Sequence, residues 1–165
     1  MRLAKHAITA AATLLLAACA TFEPVPKEYS GPTAILKDSG FYEDGSKAQI
    51  FAAIEIDGNR IGNGFQATSY ASQGRGASLS LMLPERRLKT ETIKITIKGS
   101  HATGAPIAAM ASQLAGTFYS VEGIVDFKPQ PGARYIVKGE LAKEKSSVWI
   151  QDLETGKPVT AVITR

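Results

Sequence analysis

Alternation of apolar and polar positions dominates the middle of this chain. Ile93, Ile95 and Ile97 alternate with Lys94, Thr96 and Lys98. One face of such a segment meets a core and the other meets water, which predicts a half-buried strand. Ile50, Ala52, Ile54 and Ile56 alternate in the same way, as do Leu79, Leu81 and Leu83 before Pro84. So do Tyr135, Val137, Gly139 and Leu141. Val148 and Ile150 flank Trp149, which is expected in the core with its indole N–H partnered. Ala34-Ile35-Leu36 is a shorter apolar run, and Pro158 to Thr164 reads as a last strand. Thr117 to Lys128 is also strand-like, with Gly123 expected as a bulge. Glu43-Asp44-Gly45-Ser46, Asp57-Gly58-Asn59 and Glu154-Thr155-Gly156-Lys157 supply turn chemistry between these segments.

The period changes once. Ile107, Met110, Ala111 and Leu114 fall at helical spacing, with Pro106 suited to a first turn and Gly116 to a C-terminal cap. A short helix is predicted there. Gly62 to Gly76, GNGFQATSYASQGRG, is glycine-rich and polar and reads as a long, mobile loop or an irregular edge. About eight strands with turn signals at roughly ten-residue spacing predict an all-β sandwich or barrel. Phe127 to Val137, FKPQPGARYIV, resembles the tyrosine corner of immunoglobulin-like and fibronectin type III sandwiches. There a Pro-Gly turn precedes a tyrosine that opens the next strand. The resemblance implies an immunoglobulin-like Greek-key sandwich in which the Tyr135 phenol bonds backbone a few residues upstream.

The N-terminus follows a different logic. Arg2 and Lys5 precede a short alanine-rich apolar stretch, Ile8 to Ala18, and small residues lead to Cys19. This is the layout of a secretory signal peptide, and the stretch falls short of the roughly 20 residues that span a bilayer. Leu16-Ala17-Ala18-Cys19 resembles the lipobox of bacterial lipoproteins. That resemblance implies acylation of Cys19, cleavage just before it, and anchoring of the mature protein to a membrane through N-terminal acyl chains. An ordinary Ala-x-Ala cleavage is the alternative. Ala20 and Thr21 replace the aspartate that retains Gram-negative lipoproteins at the inner membrane, which implies the outer membrane, facing the periplasm. Cys19 is the one cysteine, so no intrachain disulfide forms. Residues 1–18 are thus expected as a helical signal peptide, 19–32 as a lipidated, proline-rich flexible tether, and 33–165 as the sandwich domain. YIVKGEL, SSVWIQD and ETGKPV, with the earlier SHATGAPIAAMASQLAG, are similar to small proteobacterial lipoproteins. That likeness implies an envelope location and a sandwich, and no known reaction.

Charge and candidate chemistry narrow the picture further. Removing the signal leaves seventeen Lys and Arg against fifteen Asp and Glu, a net charge of +2. That offers no case for nucleic acid. His101 is the one histidine of the mature chain, so thiol catalysis and Cys- or multi-His zinc sites are not expected. Ser100-His101 lacks a G-x-S-x-G nucleophile turn and reads as polar residues leaving a strand. Gly62-Asn63-Gly64-Phe65-Gln66-Ala67 matches G-x-G-x-x-A, but the fingerprint should follow a strand and open a helix. Glu43-Asp44-Gly45-Ser46 and Asp57-Gly58-Asn59 lack the ligand pattern of a calcium loop and read as turns, and the carboxylate pairs Glu43/Asp44 and Asp152/Glu154 are likewise explained by turn positions, not by a glycosidase pair. Gly132-Ala133-Arg134-Tyr135 is similar to a short motif of periplasmic lysozyme inhibitors, whose Trp-x-Lys-Gly companion is missing after Trp149. Glu85 to Lys89 is a basic cluster expected in a solvated loop. The expectation is a non-catalytic interaction or accessory module of the envelope, with no cofactor and no metal. Its partner would be an envelope protein or peptidoglycan. The alternative is a glycan binder, or an inhibitor of a glycan-cleaving enzyme, using the 62–76 loop and the 85–89 cluster. Arg75, Arg86 and Arg87 are the candidate partner-binding residues.

Overall fold

The computed structural model describes residues 21–165. The expected signal helix and Cys19 lie outside the described residues. Among those residues the chain forms ten strands and two helices. In order they are β1 (Thr33–Lys37), β2 (Ser39–Tyr42), β3 (Lys47–Ile56), β4 (Asn59–Arg60), α1 (Gly64–Ser72) and β5 (Glu85–Lys89). Then follow β6 (Ile93–Thr103), α2 (Pro106–Leu114), β7 (Ser120–Phe127), β8 (Arg134–Glu140), β9 (Ser147–Asp152) and β10 (Ile163–Thr164). One sheet runs β10-β9-β8-β1-β5 and the other β2-β3-β6-β7, with β4 paired to β3. The β1–β8 ladder is parallel and the others are antiparallel. The molecule is an all-β sandwich.

The core lies between the sheets. Leu36, Leu88, Val137, Val148 and Ile150 from one sheet meet Phe51, Ile95, Ile97, Val121 and Val125 from the other. The Phe51 ring crosses the gap between two glycines. A Cβ on Gly99 would come within 2.8 Å of it, and one on Gly139 closer still. Tyr135 behaves as a tyrosine corner does: its phenol oxygen accepts the Gln130 N–H at 3.0 Å, and its ring meets Phe127 edge-on.

The alternation in β3 serves two surfaces. Ile50 contacts α1 at Gly64, whereas Phe51 and Ala53 face the core. A register shift between Ala53 and Glu55 then moves Ile56 into the core. The single face expected for Ile50, Ala52, Ile54 and Ile56 is therefore divided by a bulge. Gly123 is not a bulge: the β6–β7 register runs straight through it, and its missing side chain makes room for Ile163. Pro158 to Thr164 contributes only the two residues of β10 and one bridge, Gln151 to Pro158. Trp149 falls on the opposite side of β9 from Val148 and Ile150, half-buried, and its shielded Nε1 has no acceptor.

The largest departure is within Gly62 to Gly76, expected as a loop, where Gly64–Ser72 form a helix. Asn63 caps α1, its Oδ1 accepting the N–H groups of Phe65 and Gln66. The inward face is Gly64, Thr68 and Ser72, small and largely hydroxylic. Thr68 Oγ1 accepts from the Met82 N–H and donates to the Met82 carbonyl, and Ser72 Oγ accepts from the Ser80 N–H. The Tyr42 hydroxyl accepts from the Leu81 N–H. Side chains thereby take the N–H groups of Ser80, Leu81 and Met82, the Leu79 N–H donates to the Gly45 carbonyl, and this extended segment joins no sheet. Glu85 to Lys89, expected as a solvated loop, is an edge strand paired to β1.

Candidate functional site

Asp38 is the one residue between β1 and β2, where the chain leaves one sheet for the other. Its side chain is fully buried. Oδ1 accepts from Arg86 Nη1 at 2.7 Å and the Ala53 N–H at 3.2 Å. Oδ2 accepts from Arg86 Nη2 at 2.6 Å and the Gly64 N–H at 2.7 Å. One carboxylate thus joins β5, β3 and the first turn of α1. Burial pushes this carboxyl above the ordinary range, although the Arg86 fork and the two backbone donors oppose the shift. Nothing in the periodicity singles Asp38 out: it follows Lys37 and precedes Ser39-Gly40, so it has the local look of turn chemistry after the Ala34-Ile35-Leu36 run.

Arg86 is committed to that pair, with its side chain only 9% exposed. Arg87 beside it is exposed. Both line a cleft of about 510 Å³ between α1, the start of β5 and residues 21–25. Arg75 is elsewhere, in the turn that follows α1. The structure therefore brings together two of the three candidate arginines, and one of those is already paired.

The other cleft wall comes from the segment expected as a tether. Its described residues are laid along the sandwich. The Phe22 N–H donates to the Arg60 carbonyl at 3.0 Å, and Val25 is buried. Ile61, Ala67 and Tyr70 face this strap across the cleft.

His101 does not leave a strand. It lies within β6 and is buried. Nδ1 accepts the Tyr119 N–H at 2.9 Å, which assigns the ring proton to Nε2 and makes that atom the donor to Glu43 Oε1 at 2.8 Å. Both ring nitrogens are occupied. Glu43 also accepts from Gln49 at 2.7 Å and pairs with Lys47 at 3.1 Å. Partial burial works to raise the Glu43 carboxyl, but the bonds from Gln49, Lys47 and His101 outweigh it and hold the group below its ordinary range. Ser100 and His101 are successive strand residues and project to opposite faces of the sheet.

The predicted helix at 106–114 is present. Pro106 starts α2, and Gly116, at φ 66°, ends it. The Gly116 N–H reaches the Gln113 carbonyl and the Thr117 N–H the Ser112 carbonyl, a Schellman closure. Lys47 Nζ holds the Thr117 carbonyl at 2.8 Å. A stripe at this spacing ordinarily faces a core. Here it faces outward: Ile107 is 77% exposed, Met110 62% and Leu114 89%. The helix leaves β6 at Thr103, paired with Lys47, whereas the strap is bonded to Arg60, paired with Glu55. Eight strand steps separate those two levels, about 25 Å at roughly 3.3 Å per residue.

Among the described residues no helix is long and apolar enough to cross a membrane, and no group of three or more His, Asp or Glu side chains converges as metal ligands do. No family model matches the chain, and neither a curated protein nor a solved structure does.

Proposed function

We propose that this protein is an outer-membrane lipoprotein, held by acyl chains on Cys19 and facing the periplasm, that acts as a non-catalytic interaction module for an envelope protein. The observation that carries the reading is the stripe of Ile107, Met110 and Leu114 on α2. Three large aliphatic side chains held in water on a well-terminated helix are a feature of partner-binding surfaces. The stripe sits at the end of the sandwich remote from the strap, so an anchored domain presents it away from the lipid. The lipobox and signal layout supply the anchor. The glycan-binding alternative draws less support, since its loop is a helix, its basic cluster a strand, and Arg86 is taken by Asp38.

A photo-crosslinking residue placed at position 110 of the full-length protein in cells tests this. A discrete adduct at 110, missing at an exposed control position such as 143, is the expected result. The adduct should disappear in Cys19→Ser. Equal, diffuse labelling at both positions would remove α2 as the contact surface.

A further inference from the structure

We propose that the cleft beside the strap receives one of the acyl chains carried on Cys19. This rests on the lipoprotein reading and goes beyond it, because it gives the lipid a place on the protein as well as in the bilayer. Thr21, two residues after Cys19, already lines the cleft mouth. Phe22 is pinned to Arg60 and Val25 is buried, so the chain is fixed almost from the point at which a lipid would emerge. Two residues of extended chain reach only about 7 Å. An acyl chain on Cys19 therefore starts at the cleft.

The lining suits an alkyl chain. Phe22 and Val25 form one wall, and Ile61, Ala67 and Tyr70 the other. Phe22 is 42% exposed and Tyr70 72%, so two aromatic rings flank the opening and remain in water while the cleft is unfilled. Covering them with methylene groups removes apolar surface from water. The buried charge at the cleft end is neutralised within the protein, because Arg86 gives both arms of its fork to Asp38. Glu23, Glu85 and Arg87 also line the cleft, and all three are exposed, so their charges stay in water at its rim. The volume of this open cleft, about 510 Å³, lies within the roughly 300–1,000 Å³ range of small-ligand clefts, so part of an alkyl chain is covered and the rest stays outside.

The test uses the full-length protein in cells supplied with a palmitate analogue bearing a mid-chain diazirine. After irradiation, mass spectrometry maps the crosslinks made by the label on Cys19. The expected product is an intramolecular crosslink from Cys19 to the peptide containing Ala67 to Tyr70. It should fall at least tenfold in Ala67→Trp, which fills the cleft. It should fall also in Tyr70→Ser, which alters an exposed side chain and leaves folding undisturbed. Label on Cys19 with crosslinks confined to phospholipid or other proteins overturns the proposal and leaves the lipoprotein reading standing. A crosslink unaffected by both variants also overturns it. Absence of label from Cys19 overturns both.

Discussion

Replacing Arg86 with methionine keeps the aliphatic stem and removes the guanidinium fork that holds Asp38. Asp38 then stays fully buried with only the N–H groups of Ala53 and Gly64 as donors. Leaving one charge of a buried pair without its partner costs about 3–5 kcal/mol. For the 145 described residues that lowers the melting temperature by about 10–15 °C. The number measures a broken pair and not the net worth of an intact one. Burial raises the Asp38 carboxyl even against four donors, so the loss of water is only partly offset by pairing. Asp38→Leu alone strands the guanidinium and orphans two backbone N–H groups, with a cost of similar size. In Asp38→Leu/Arg86→Met both charges are gone, and the remaining cost is that of the two N–H groups, about 1–3 kcal/mol each. The double variant is therefore expected to lose less than the sum of the single ones, with a coupling of roughly 3 kcal/mol. Urea unfolding of the four proteins, followed by Trp149 fluorescence, measures each value. Arg87→Met, on the same strand but exposed, serves as control and should change stability by no more than about 0.5 kcal/mol. Additive single effects, or a loss under about 1 kcal/mol for Arg86→Met, would refute the reasoning, since that is the value of an exposed ion pair.

Three further outcomes are expected. Glu43 is held below its ordinary value of 4.5, so its bonds to Gln49, Lys47 and His101 add stability above that pH and lose it as pH falls through the depressed value. Stability against urea from pH 6 to pH 3 should fall less steeply in Glu43→Gln than in the wild type, and parallel curves would show the network to be inert. Gly99→Ala forces a methyl group against the Phe51 ring and should cost about 1–3 kcal/mol, while Gly99→Ala/Phe51→Leu should recover part of the loss in the same urea assay. Gly116→Ala places a side chain at φ 66° and should cost about 1 kcal/mol. Faster amide hydrogen exchange confined to α2 would locate that loss, and exchange rising across the whole domain would contradict it.

The strands were legible because their side chains obey a period of two with the core on one side. β8 is the clearest case; β6 keeps Ile93, Ile95 and Ile97 in the core, but its other face, expected in water, is covered at Thr96 and Ser100; and the Pro-Gly turn before Tyr135 marked a corner that the phenol braces. Periodicity gave the wrong face for half of β3, because a bulge at Ile54 resets the phase and α1 buries the outer side. It missed α1 altogether, since the inward residues Gly64, Thr68 and Ser72 carry no hydrophobic signal. Asn63 followed three residues later by Gln66 resembles the spacing of a capping box and was the usable sign of a helix start. Hydroxyls also explain the false strand at Leu79 to Leu83: the apolar alternation is there, but the N–H groups of Ser80, Leu81 and Met82 go to the hydroxyls of Ser72, Tyr42 and Thr68. Arg86 looked like surface charge because its partner is 48 residues away in sequence. A contact of that range is invisible to local pattern.

The corner at Asp38 bears on the proposed function through rigidity. G-x-G-x-x-A does open a helix here, contrary to expectation, yet its first N–H groups are already used, Gly64 by Asp38 and Phe65 and Gln66 by Asn63. The helix start is a structural joint, with no donor turned toward a phosphate. That joint fixes α1 to β5 and β3, and the strap lies against the same corner through Arg60 and Ile61. A domain swinging on a free tether would present its surfaces in every direction. On the proposed lipoprotein reading the domain is clasped two residues from its lipid and presents one end consistently, with α2 at the far end of the strands. On the proposed reading, loosening the joint with Arg86→Met should therefore weaken capture at position 110 without touching α2.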